Sequence, residues 1–191
     1  MEFVKKMLIA IGMAAGILAI YLGSYLPFVK AQRYVSLVRS FNSGEAQTLD
    51  QALEKIDGVI KFYSPIGQEE DVRYVLNDIL NIIIQTQQGE AIDRSLVEHV
   101  EPYALQNDVR HTFVMGEIYR ALWEKYGREN YYQKTESYYE KSLALAPHLP
   151  QLLNSMFGFY KANGNQEKMV EIGQIILKYW PEYDYIREQM Q

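Results

Sequence analysis

Three histidines, His99, His111 and His148, are the side chains in this sequence best placed by type to move protons or hold a metal near neutral pH. They fall in three separate segments, and none has another His, Asp or Glu at metal-ligand spacing on a shared helix face. A structural or solvated role is expected for each. Glu69, Glu70 and Asp71 form an acidic trio, but they open the segment "QEEDVRYVLNDILNIIIQTQ", where carboxylates complement the positive end of a helix. Cysteine is absent, which excludes disulfides, thiolate nucleophiles and cysteine-based zinc sites. No G-x-S-x-G, P-loop or G-x-G-x-x-G occurs, so a nucleophile elbow and a nucleotide cradle both lack support. The chain therefore reads as non-enzymatic, with no catalytic residues, no metal and no cofactor expected. Tyrosine is abundant, at sixteen. Tyr119, Tyr139 and Tyr160 stand at helical spacing and read as core. Exposed tyrosines near "ENYYQ" have the apolar face and polar tip needed to stack on a sugar or a peptide.

The elements that would position these residues begin with a greasy rod. From Met7 to Val29 the sequence "MLIAIGMAAGILAIYLGSYLPFV" carries no charge, between Lys6 and Lys30. At about 1.5 Å per residue it is roughly 34 Å long, enough to cross a hydrocarbon core of about 30 Å. A secretory signal has a shorter apolar region ending at small residues, and here the small residues fall in mid-span. Residues 7–29 are therefore expected to be an uncleaved transmembrane helix, preceded by a short flank over 1–6 and followed by a helical domain over 30–191. Lys5 and Lys6 on one side and Lys30, Arg33 and Arg39 on the other leave the orientation open. Gly12, Gly16, Ala19 and Gly23 share one face, which suits close approach of another membrane helix, although small residues are also common in membrane helices generally. With 191 residues there is room for one or two domains, and a net charge of −5 argues against nucleic acid as a partner.

Beyond Lys30, helix-period patterns recur between short breakers and no segment alternates convincingly as a strand. "AQRYVSLVRSF" continues from the apolar rod. "TLDQALEKIDGVIKFY" follows, with Thr48 and Gln51 in capping-box spacing. After the turn "SPIG" come the acidic-headed helix, "DRSLVEHVEPYALQ", "HTFVMGEIYRALWEKYG", "YYQKTESYYEKSLALA", "QLLNSMFGFYKAN" and "QEKMVEIGQIILKYW". Pro147 ends one helix, and Pro150 occupies the first turn of the next, where its missing donor costs nothing.

Pro181 follows Pro147 by 34 residues, again directly after a helix. That period, with helix–turn–helix content, resembles the tetratricopeptide repeat family, most clearly from Pro150 to Pro181. In the resemblance Leu153 takes the family's large fourth position, Tyr160 its aromatic eleventh, and Gly164 the turn between paired helices. Phe157, Met169 and Ile176 stand where the family has small residues, which implies looser helix packing there. "MGEIY" and "YYEKSLALAP" resemble the two halves of a preceding unit, with about seven residues inserted around "GRENYYQ". The implied fold is an all-α solenoid of about four helical hairpins with a short terminal helix after Pro181. Carried over position by position, the family's concave groove falls on Arg110, Phe113, Glu117 and Arg120, then on Gln151, Asn154 and Lys161. Mixed charge around one aromatic suits an extended peptide or a polar chain.

The layout as a whole, a membrane helix, the basic exit "PFVKAQR", the "SPIGQEEDVRYVLNDI" segment and terminal repeats, also looks like the C-terminal tail of bacterial O-antigen ligase and polymerase membrane proteins. That likeness implies a bacterial inner membrane, repeats outside the cytoplasm, and a role as an accessory or split-off tail of a glycan-transferring protein. The many membrane helices and catalytic loop of that family are missing here. Two expectations follow. One is a membrane-tethered scaffold for a protein or peptide partner. The other is an accessory to a polytopic glycan-transferring protein, with a glycan as possible ligand.

Overall fold

The computed structural model describes residues 1–43 and 48–190, and among these it is helical with no strand. Helices α1 (Glu2–Ile20) and α2 (Leu26–Ser43) are joined by a π-helical turn, Tyr21–Tyr25, into one apolar-headed rod running from Glu2 to Ser43. Then come α3 (Leu49–Ile60), α4 (Gln68–Gln85), α5 (Glu90–Val100), a 3-10 turn (Glu101–Tyr103), α6 (Val109–Tyr126), α7 (Glu129–Leu145), α8 (Pro150–Asn163), α9 (Gln166–Tyr179) and α10 (Asp184–Gln189). Two compact units divide within α4, the first running to Asp78 and the second starting at Ile79.

In the first unit, the π turn has a local cause. Pro27 has no N–H to offer the carbonyl four residues back, and its ring crowds that turn. The helix widens just before it, so that the Leu26 N–H reaches the Tyr21 carbonyl five residues back. Tyr21 and Tyr25 stack across this turn with ring centroids 5.5 Å apart. None of the α1 side chains is buried. This helix is long and apolar enough to cross a membrane. On α2, Leu26, Lys30, Leu37 and Ser40 form a buried face, and α2 packs against α3. Thr48 caps α3 by accepting from the Gln51 N–H at 3.3 Å. Gly67, at φ +81, turns the chain into α4, and its left-handed backbone is the conformation that favours glycine.

In the second unit, α6 with α7 and α8 with α9 are the two most extensively packed helix pairs. Asp108 caps α6 by accepting from the Arg110 N–H at 2.7 Å. Gly127 and Gly164, both at positive φ, close α6 and α8. Pro150 is the first residue of α8, and α7 and α9 each end two residues before Pro147 and Pro181. The inserted residues around "GRENYYQ" do not loop out. Helices α6 and α7, at 18 and 17 residues, absorb them by being longer than α8 and α9 at 14 each.

Two expectations about packing are corrected here. Phe157, Met169 and Ile176 are all buried, and at Phe157 the room comes from Gly173 on α9. A Cβ at Gly173 would meet the Phe157 ring at 3.1 Å and the Met190 side chain more closely still. The tyrosines of "ENYYQ" are not available for stacking on a ligand. Tyr131 is buried, with its hydroxyl donating to Glu90 at 3.2 Å, and Tyr132 packs half-buried against Trp123 and Phe159. The lengthened hairpin explains this, since its extra turns bury those rings between helices rather than presenting them on a loop.

Gly116 shows how tightly α6 and α7 meet. A Cβ there would lie 2.6 Å from the Tyr139 ring, which is itself buried and held by a hydroxyl bond to Glu117. Gly116→Ala should therefore lower stability by about 1–2 kcal/mol, the overpacking cost outweighing the helix-propensity gain of about 1 kcal/mol. Urea unfolding checks this, and a stabilised variant would contradict it.

Candidate functional site

The groove residues expected from the sequence lie on α6 and α8. Arg120 on α6 donates to the Ser155 carbonyl of α8 at 3.5 Å, and its guanidinium lies 3.9 Å from where a Gly158 Cβ would stand. Arg120 here and the Trp123 ring against Phe159, centroids 5.2 Å apart, bring α6 and α8 into contact. Arg120 also pairs with Glu124 at 2.7 Å. Glu117 accepts from the Tyr139 hydroxyl, and Phe113 stacks on the same tyrosine with centroids 6.4 Å apart. Burial and the Glu117 carboxylate push the Tyr139 phenol above its usual range, so it stays a donor. Arg110 is exposed and folds back on Asp108 at 2.7 Å. Hydrogen bonds from Arg110, only partly countered by desolvation, hold the Asp108 carboxyl down at about 2.

On α8, Gln151 is exposed. Asn154 and Lys161 are already engaged, the first accepting from the Tyr185 hydroxyl at 2.6 Å, the second donating to Gln189. Tyr185 and Gln189 belong to α10, which therefore walls one side of an open cleft of about 400 Å³ floored by Phe157 and Gly158. That volume lies within the range of ligand-binding clefts. Nothing in the sequence assigns this wall, because α10 has only six residues and no motif.

Sequence reasoning also missed a carboxylate hub. Glu101 accepts from the Tyr119 hydroxyl at 2.6 Å, the Tyr138 hydroxyl at 2.7 Å and the Lys134 ammonium at 2.8 Å. The recess beside it, about 150 Å³, is smaller than the usual ligand pocket of about 300–1,000 Å³. Burial pushes the Glu101 carboxyl up, but the three donors outweigh it and hold the group below its ordinary 4.5. The folded state therefore binds this proton less readily than the unfolded chain. Its contribution to stability is complete above about pH 4.5 and is lost as pH falls through the lowered value. Glu101→Gln should flatten the acid limb of the stability–pH profile, and an unchanged limb would contradict this assignment.

The histidines are placed apart. His111 is buried, and its Nδ1 accepts from the Leu105 N–H at 3.2 Å. His148 lies against Tyr179 with ring centroids 4.2 Å apart, while His99 sits in the last turn of α5. Among the described residues no group of three or more His, Asp or Glu is arranged to hold a metal ion. The acidic trio divides its partners, Glu70 pairing with Arg73 at 2.6 Å and Asp71 approaching Lys30 at 3.8 Å. On the apolar helix, a Cβ at Gly12, Gly16 or Gly23 would meet no neighbouring element within 4 Å. Compared with family models, curated proteins and solved structures, the chain matches none of them.

Proposed function

We propose that this protein is a membrane-tethered, non-enzymatic helical-repeat module that holds a protein or peptide partner along the α6/α8 face. The observation that carries the reading is the contact of α6 with α8 through Arg120, Ser155 and Gly158 and through Trp123 and Phe159. It puts mixed charge, amide groups and the Phe113 ring on neighbouring helices, a surface suited to an extended chain with both polar and apolar contacts. The tether is the uncovered apolar helix, whose large side chains, Ile9, Ile17 and Leu18 among them, are exposed. A contiguous apolar surface of that kind marks a partner or a membrane.

A second reading rests on the small-residue face of the apolar helix, Gly12, Gly16, Ala19 and Gly23. A polytopic membrane partner fits that face, and a glycan-transferring protein of a bacterial inner membrane would make this chain its accessory, with the repeats outside the cytoplasm.

Photo-crosslinking residues at Arg110 and Gln151 in native membranes, with Ser137 and Glu171 on α7 and α9 as references, test the first reading. All four positions are exposed. Crosslinks to one polypeptide from the first pair and not the second are expected. Equal capture from all four would contradict the proposed face, and capture only from a probe at Gly16 would favour the second reading.

A further inference from the structure

The turn between α3 and α4 buries a hydroxyl and leaves two large apolar side chains bare. Ser64 is buried at 1 % exposure, and its hydroxyl is used within the turn, donating to the Ile66 carbonyl at 2.7 Å and accepting from the Ile66 N–H at 3.4 Å. Tyr63 and Ile66 point away, 68 % and 58 % exposed. Lys61 is exposed as well, so the outer side of the turn sets two bare apolar side chains beside one cation.

Where this turn sits gives the reason. The membrane-length apolar run ends at Val29, and the next side chain, Lys30, is buried at 1 % and donates to the Phe62 carbonyl at 3.0 Å and to Gln68. Arg33, one turn on, donates to the Gly58 carbonyl at 3.1 Å and lies over the Phe62 ring, 4.3 Å from its centroid. Helix α3 thus returns antiparallel to α2 and delivers its C-terminal end to the level of residue 30. Burial reaches further still. Leu26 is only 9 % exposed, although it lies within the apolar run, about 4.5 Å below Val29 at the helical rise. The headgroup zone on each side of a bilayer is about 5–8 Å deep. A turn fixed at the level of residues 26–30 lies in that zone, and an aromatic with a polar tip beside a bare isoleucine is the composition that zone accepts.

We infer that the 61–67 turn is a second membrane contact, with Tyr63 and Ile66 inserted among lipid headgroups and upper acyl chains beside the apolar helix. The inference rests on residues 7–29 spanning a bilayer. Two contacts would fix the tilt and rotation of the first unit on the surface, where one helix alone leaves the unit free to spin about its axis.

The absence of native cysteine makes the test clean. Four variants of the full chain, Ile17→Cys, Tyr63→Cys, Ile66→Cys and Glu54→Cys, each at an exposed position, carry a single environment-sensitive fluorophore in phosphatidylcholine vesicles. Quenchers are attached to the lipid chain either near the headgroup or near the chain end. Positions 63 and 66 should be quenched several-fold more strongly than 54, and more by the shallow quencher than the deep one. Position 17 should show the reverse depth preference. If 17 is quenched while 63 and 66 behave like 54, the turn does not enter the bilayer and the inference fails, with the span intact. If 17 is unquenched, the spanning reading fails and takes the inference with it.

Discussion

Asp93→Ala is expected to destabilise the second unit by about 3–5 kcal/mol, because it strands a cation with no other anionic partner in hydrogen-bond reach. Asp93 is fully buried. Its carboxylate accepts from the Lys125 ammonium at 2.8 Å, the Tyr126 hydroxyl at 2.6 Å and the Gln88 amide at 2.6 Å. Lys125 also donates to the carbonyls of Ile83 and Thr86, at 3.0 and 2.9 Å, closing the C-terminal end of α4. Helix ends leave such carbonyls without intrahelical partners, and a cation there satisfies both the hydrogen bonds and the dipole. The single carboxylate thus joins α5, the end of α4 and the last turn of α6. Removing it costs three hydrogen bonds and leaves a part-buried charge. Removing both charges is a different matter, since replacing a buried pair by apolar residues of similar volume is often near neutral. The double variant Asp93→Leu with Lys125→Met should therefore recover much of the loss. Urea unfolding of the two variants checks both statements. A single-variant loss below about 1 kcal/mol would mean that the pair behaves like an exposed one.

Lys30→Met should have the next largest effect, about 2–4 kcal/mol, from loss of a charged hydrogen-bond donor inside the first unit. Methionine keeps most of the volume but leaves the Phe62 carbonyl and Gln68 without their donor. Magnitude separates the two kinds of partner that Lys30 has. Asp71 is 3.8 Å away, and burial pushes its carboxyl above the ordinary 3.8, Lys30 countering this only in part. A carboxyl raised on folding favours its protonated form, so its charge adds no stability at neutral pH and costs some. Asp71→Asn is therefore expected to change stability by less than about 1 kcal/mol. A loss from Asp71→Asn equal to that from Lys30→Met would show that the ion pair, and not the carbonyl contact, holds α3 to the rod. Circular dichroism during unfolding in detergent micelles reads both.

What the sequence disclosed follows a physical divide between local and distant causes. Pro147, Pro150, Pro181 and Gly164 mark boundaries because each acts on its own backbone, and the helices start and stop beside them as expected. Tyr119, Tyr139 and Tyr160 were legible as core from helical spacing, and all three are buried. The joints were not legible. Lys30 with Phe62, Asp93 with Lys125 and Glu101 with Tyr138 connect residues more than thirty positions apart, and no local pattern announces such pairs. Lys30 reads in the sequence as one charge of a basic membrane exit, yet its ammonium is turned into the protein. The proposed groove positions fall on α6 and α8, but their surroundings were not legible. That α10 engages Asn154 and Lys161 depends on how a six-residue helix docks, which its own composition does not fix.

Alkaline carbonate extraction of membranes containing the full chain tests the central claim most directly. An α-helix that spans the bilayer keeps its apolar side chains in hydrocarbon whatever the pH and salt outside. The polypeptide is expected to stay wholly in the membrane pellet and to leave it only with detergent. Release of the intact chain into the carbonate supernatant would show that residues 7–29 do not span, and the tethered-module account would fall with them.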